Sequence, residues 1–268
     1  MRTKNALRNT AFSLLLEVLL LIFGMIMPRL IILTYGSAVN GLTSAINQIL
    51  SVLNLLQAGA VGASIFEMYK PVAEKDYQRI SLIMDASKRY FFKLGLVFLG
   101  LVMAIAPLVA ISKADAEIGK WEILISVIIL GINGAYYFFI LSWYDILFSS
   151  HQKRYILSIA GIIEKLIYYG LLFIVLKSGI HFMFMYVAVV CGSSIKVLYL
   201  YYIYKKNYAK YMMPVPKDNQ YRIKNRGYLL WNQIATQAVE SSPVILITAL
   251  YDLKLVSVYA IYNLVQTA

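Results

Sequence analysis

With one cysteine and two histidines in 268 residues, this chain lacks most of the side chains from which disulfides, metal centres and proton-shuttling catalysts are built. Cys191 has no partner for a disulfide, and its place inside an apolar run predicts a buried thiol. His151 and His181 belong to no HExxH pattern, and no GxSxG, CxxC or phosphate-cradling glycine loop occurs. No catalytic residue, cofactor or metal site is expected, and the chain does not read as an enzyme.

Charge is scarce as well. Only 14% of residues are charged and 60% are hydrophobic, against roughly 25% charged in an ordinary soluble domain. That excludes a soluble globular protein and points to an integral membrane protein. Several apolar runs exceed the ~20 residues needed to cross ~30 Å of hydrocarbon as a helix. The alternating ~10-residue segments of a membrane barrel are missing.

The runs predict an all-α polytopic bundle of seven complete spans: Ala11–Leu33, Leu42–Phe66, Phe91–Ile111, Ile123–Phe148, Tyr155–Leu176, Phe182–Tyr204 and Tyr228–Leu250. A partial eighth starts near Lys254 and stops at Ala268, as in a truncated chain. The first run follows basic residues as a signal peptide would. It is too long for one, carries Glu17 and lacks a small-x-small cleavage site, so it is expected to be a retained helix.

Lys and Arg set the expected orientation, because positive loops stay cytoplasmic. With the N-terminus inside, eighteen fall on inner segments and five on outer ones. The net charge of +12 is then topology, with contact to anionic lipid as a lesser reading and no nucleic-acid partner expected. Asp115, Glu117 and Glu122, interleaved with Lys113 and Lys120, read as a solvated outer loop. Tyr199, Tyr201, Tyr202, Tyr204, Tyr208 and Tyr211 read as an interfacial aromatic belt.

Ionisable residues within spans each cost about 2.5–3.5 kcal/mol if they face lipid. Glu17, Glu164, Lys165, Lys196 and Glu240 fall in this class, with Arg29 near an outer end. Glu164 and Lys196 lie at similar depth on adjacent antiparallel spans, which suits a structural salt bridge. Lys165, about 100° away from Glu164 around the helix, reaches another helix or faces a cavity. Ser44, Asn47, Ser51, Asn54 and Ala58 make one polar face of the second span. Gln233, Thr236, Gln237 and Glu240 make another on the seventh. Either stripe serves helix–helix hydrogen bonding or lines a watery path. Between the second and third spans, Ala73, Tyr77, Ile80 and Met84 predict a short amphipathic helix on the cytoplasmic surface.

The Tyr- and Lys-rich stretch up to Gly227, interrupted by Pro214 and Pro216, divides the chain. Residues 1–210 are expected to form a six-helix lobe, 211–227 a cytoplasmic linker and 228–268 the start of a second lobe. Asn9 and Asn225, Phe12 and Tyr228, Tyr35 and Tyr251, and Asn47 and Asn263 stand 216 residues apart, the mark of an internal repeat. Transporters often place a substrate site between such repeats.

Arg8-Asn9-Thr10, Tyr35-Gly36-Ser37, Asn40-Gly41-Leu42, Gln57-Ala58-Gly59 and Tyr69-Lys70-Pro71 together resemble the opening of bacterial polysaccharide flippases. These belong to the multidrug/oligosaccharidyl-lipid/polysaccharide exporter superfamily. The resemblance is strongest over about the first 95 residues. It implies a two-lobed bundle in the bacterial inner membrane that moves lipid-linked anionic oligosaccharide outward, with polysaccharide polymerases or glycosyltransferases as partners. It also implies a cationic cavity for the diphosphate, a role that Arg29 fits best. Lys165 could offset headgroup desolvation, with Asn47, Ser51 and Asn54 on the path and Glu17 and Glu240 as coupling sites for a proton or cation. A drug or cation exporter of the same superfamily, or a non-transporting subunit built from half a transporter, are the alternatives.

Overall fold

Backbone amides in hydrocarbon have only one another to bond, and helix accounts for nearly all of the described residues. The computed structural model describes residues 2–113, 117–216, 221, 246–248, 250, 251 and 253–267. Among these it contains nine α-helices: α1 (Arg2–Tyr35), α2 (Ser37–Leu53), α3 (Leu55–Glu74), α4 (Tyr77–Lys113), α5 (Lys120–Tyr136), α6 (Ser142–Ser150), α7 (Tyr155–Ser178), α8 (Met183–Asn207) and α9 (Leu253–Thr267). A π-helical segment, Tyr137–Leu141, joins α5 to α6, and a 3₁₀ turn, Ala209–Tyr211, follows α8.

The expected count of seven complete spans and a partial eighth does not hold. Among the described residues, five helices are long and apolar enough to cross a membrane: Thr3–Tyr35, Tyr77–Lys113, Lys120–Ser150, Tyr155–Ser178 and Met183–Asn207. The expected second span is not one helix. It is divided at Asn54 into α2, of 17 residues, and α3, which carries Glu67, Lys70 and Glu74. The seventh lies largely outside the described residues, and its Gln233, Thr236, Gln237 and Glu240 lie wholly outside them. The linker boundary at Gly227 is outside them too. The eighth corresponds to α9, of 15 residues.

The break at Asn54 has a local cause. Polar side chains crowd this stretch, and short amide and hydroxyl groups compete with the backbone for its own hydrogen bonds. The Ser51 hydroxyl donates to the Gln48 carbonyl at 2.8 Å. Beyond Asn54 the ladder shortens to a three-residue step, from Gln57 N–H to the Asn54 carbonyl at 3.3 Å.

The expected surface helix is also absent as a separate element. Pro71 sits in the last turn of α3, Lys75 turns the chain with φ 58°, and the Asp76 carboxylate accepts from Arg79 N–H at 2.9 Å. That N-terminal cap starts α4, which runs without interruption from Tyr77 to Lys113. Ile80 and Met84 are buried in the bundle, which explains their periodicity without a membrane surface.

Two hydrophobic cores stack along the bundle. One joins Leu42 and Ile46 of α2 to Val102, Val127, Leu172, Tyr186 and Val256. The other joins Met68 of α3 to Ile80, Phe148, Ile156, Leu200 and Tyr208. The second core lies at the end where Arg8, Lys75, Lys153 and Lys205 gather, called here the basic end. α1 leans on the bundle along a narrow line and exposes Leu14, Leu15, Val18, Ile22 and Met25, as a helix bathed in lipid can. Cys191 is exposed too, on an outward face of α8, which corrects the expected burial.

The opposite end is closed by α2 and α9. Gly41 packs directly on the backbone of α9, so that any side chain there would overlap the Leu253 carbonyl. Beside it the buried Asn40 amide donates to the Ser257 hydroxyl at 2.7 Å. Small residues permit this approach where lipid offers no hydrophobic drive to association. Gly41→Val should lower stability by about 1–3 kcal/mol through overpacking, read as a lower Tm of the purified full-length protein, with Gly41→Ala less affected. An unchanged Tm for Gly41→Val would refute this packing.

Candidate functional site

At the basic end, polar side chains from seven segments surround a cavity of about 580 Å³. Ser51 comes from α2, Asn54 from the break, Gln57 and Tyr69 from α3, and Asn9 from α1. Tyr137 of the π segment, Asp145 and Ser149 of α6, and Gln152 and Arg154 of the following turn complete the polar wall. A smaller cavity of about 190 Å³ adjoins it, and shares Tyr137, Asp145 and Arg154 with the first. Glu17 of α1 and Lys196 of α8 line the smaller one. The two cavities make a polar seam between α1, α3, α6 and α8.

Asp145 is the centre of this seam. Its two carboxylate oxygens accept from Tyr137 Oη and from Ser149 Oγ, each at 2.8 Å. Eight residues along a regular α-helix would bring a side chain about 80° off the starting face. One π turn absorbs roughly one extra residue, so Tyr137 and Asp145 stand as residues seven apart normally do, on one face two turns apart. Such insertions recur at functional sites.

Asn9 fixes the turn that presents Arg154. Its Nδ2 donates to the Gln152 carbonyl at 3.2 Å, and its Oδ1 accepts from Tyr155 N–H at 2.8 Å. A side chain of α1 thus caps the first turn of α7 across 146 residues of sequence. Gln152 itself takes φ 58°. His151, in the same turn, points its Nδ1 at the Leu147 carbonyl, 2.7 Å away. Burial holds its pKa below the ordinary value, and the Leu147 bond partly opposes that shift.

The structure brings some sequence-nominated residues together and separates others. Lys196 Nζ lies 2.7 Å from Glu164 Oε2, with Ser193 Oγ 3.5 Å from Oε1. Lys165 folds back to Glu164 Oε1 at 3.6 Å and sits 5.8 Å from the Tyr168 ring. Glu164 therefore meets two cations, an arrangement in which removing one partner of a desolvated pair is the costly change. Ser51 and Asn54 line the larger cavity, whereas Asn47 is exposed and off its wall. Neither Lys165 nor Arg29 lines it. Arg29 is exposed at the rim of an apolar groove of about 250 Å³, with Gly24, Met25, Pro28 and Ile261. Glu17 is exposed on α1 and borders the smaller cavity.

Among the seam residues not singled out from sequence are Asp145, Arg154 and Tyr137. Asp145 falls inside the expected fourth span, where an acid in an apolar run was itself the signal. Arg154 entered only as a topological charge. Tyr137 belongs to an aromatic run that gives no sign of a π turn. Comparison with family models, with curated proteins and with solved structures finds no match to this chain.

Asn9→Ala removes both bonds that hold the Arg154 turn. It should cost about 1–2 kcal/mol, and Asn9→Asp, which keeps the acceptor for Tyr155 N–H, should cost less. The order of Tm values, wild type above Asp above Ala, checks this; equal values would remove the Asn9 clamp from the account.

Proposed function

We propose that this chain is a membrane transporter, not an enzyme, and that it moves lipid-linked oligosaccharide or a polysaccharide precursor from the inner to the outer leaflet of the bacterial inner membrane. In this reading the basic end faces the cytoplasm, as the Lys and Arg asymmetry indicates. Polysaccharide polymerases and glycosyltransferases are its partners in cell-surface polysaccharide assembly.

The observation that carries the proposal is the polar cavity of about 580 Å³ with Arg154 on its wall. Its volume falls in the ~300–1,000 Å³ range of small-molecule sites, and its lining suits a sugar diphosphate. The amides of Asn54 and Gln57 and the hydroxyls of Ser51 and Tyr69 can bond sugar hydroxyls. The guanidinium can hold phosphate through two parallel hydrogen bonds. An inside-negative potential also favours outward movement of the headgroup, by roughly 2.3 kcal/mol per charge per 100 mV. The phosphate-binding role passes from Arg29 to Arg154, because Arg29 borders an apolar groove.

One observation favours the drug or cation exporter as a second reading. Asp145 and two tyrosines share the same wall, and a carboxylate among aromatic rings attracts cations.

In a flippase-deficient strain carrying the full-length protein, Arg154→Ala should abolish polysaccharide export at normal membrane abundance. Arg154→Lys should keep part of it, since charge survives and fork geometry does not. Arg29→Ala should retain export. Wild-type export by Arg154→Ala would sink the anionic-cargo reading, and loss confined to Asp145→Asn would favour the cation exporter.

A further inference from the structure

The groove beside Arg29 lies on the outside of the bundle, towards the closed end and away from the polar seam. Its α1 wall is made of Gly24, Pro28 and Ile32 and, one position on, Met25, Arg29 and Leu33. These are two parallel rows at four-residue steps, so the groove follows α1 for about 12 Å. Gly24 has no side chain and Pro28 only a compact ring, which keeps the floor low. Ile261 of α9 forms the other wall. Apart from Arg29, every side chain of this lining is apolar.

Arg29 stands six residues before Tyr35, the last residue of α1. Tyr35 Oη donates to the Ile180 carbonyl in the turn between α7 and α8, which marks the level where that end meets water. Arg29 is thus about 9 Å beneath this level, and its long side chain can raise the guanidinium to the headgroup zone. Among the described residues the guanidinium makes no ion pair and no hydrogen bond. The acids described nearest this end are already taken: Glu117 by Lys254, and Glu122 by His181 and Gly119 N–H. A second copy of this chain would have to bring a free carboxylate to the same depth, and neither of these can serve. A charge within a span calls for a partner, and here the partner has to come from the membrane.

We propose that the α1–α9 groove binds one anionic phospholipid, with the phosphate on Arg29 and an acyl chain laid along Gly24, Pro28 and Ile32 against Ile261. The guanidinium holds a phosphodiester through two parallel hydrogen bonds, and the apolar floor takes the chain. An anionic headgroup is favoured because a zwitterionic one brings a cation of its own beside Arg29. The lipid is a resident of the leaflet and not the cargo, so this site is independent of the polar cavity. By touching both walls it ties α1 to α9, where α1 otherwise leans on the bundle along a narrow line. A ligand that binds only the folded state raises its stability.

The test uses full-length protein, delipidated in neutral detergent and titrated with phosphatidylglycerol, with phosphatidylcholine of the same chains, and with glycerophosphoglycerol, the headgroup without chains. Native mass spectrometry counts bound lipid, and Tm reads its effect. One phosphatidylglycerol should bind about tenfold more tightly than phosphatidylcholine and raise Tm, and glycerophosphoglycerol should do neither. Arg29→Ala, a change at an exposed position, should bring the two lipids to equal affinity, and Arg29→Lys should keep part of the preference. Gly24→Leu, which fills the groove, should weaken both lipids. Lys205→Ala, at the basic end, should leave the preference intact. Equal affinities in the wild type, a preference unchanged by Arg29→Ala or lost in Lys205→Ala, or glycerophosphoglycerol binding as tightly as the lipid would each overturn the inference. If Gly24→Leu does not fold, the Arg29 variants and the chain-free headgroup decide.

Discussion

A polar atom that faces hydrocarbon without a partner costs several kcal/mol, and the arrangement of this protein follows from that one constraint. Hydroxyls within the helices bond back to carbonyls of their own turn, as Ser64 does to Ala60 and Ser87 to Ile83. The charges deepest in the bundle answer each other, with Glu164 between Lys165 and Lys196. Many of the remaining polar side chains are gathered into one seam, where water and side chains can share the task. Large apolar side chains are exposed on the surface, most plainly along α1.

Irregular backbone is tolerated at membrane depth where it lines a cavity, and both irregular segments border the seam. The break at Asn54 and the π segment at Tyr137–Leu141 contribute to the same wall. The break separates α2, which belongs to the core at the closed end, from α3, which belongs to the core at the basic end. The asymmetry between the two ends follows. At one, Gly41 and Leu253 meet backbone to backbone; at the other, Asn54, Asp145 and Arg154 stand around open space.

Helical membrane architecture was legible from composition and run length, because the bilayer imposes both. The pairing depth of Glu164 and Lys196 was legible for the same reason, since a rise of ~1.5 Å per residue converts position into depth. The break at Asn54 was not. A polar stripe at three- and four-residue steps gives the same pattern on an intact helix as on a broken one, and only the lost backbone bonds distinguish them. The π turn was invisible because Tyr137, Phe138 and Phe139 fit an α-helix equally well. Met84 and Ile80 misled for a related reason: an amphipathic period reports a buried face without saying what buries it. Lys165 was nominated as a charge within a span and Arg29 as the best fit to the cationic cavity that the resemblance implies, but neither argument gives direction around the helix. Asp145 and Arg154 line the same cavity, and the 151–154 turn is held there by Asn9 of α1, a contact between residues far apart in sequence.

The central claim is that water enters this bundle from the basic end and stops at the core built on α2. Cysteine reactivity toward a membrane-impermeant thiol reagent measures it directly, in a Cys191→Ser background and from the side that carries Lys153. Cysteines at Asn54 and Ser149 should react, whereas cysteines at Ile46 and Met185, both buried in the closed core, should not. Unreactive positions at the seam, or equal reactivity at all four, would contradict the account.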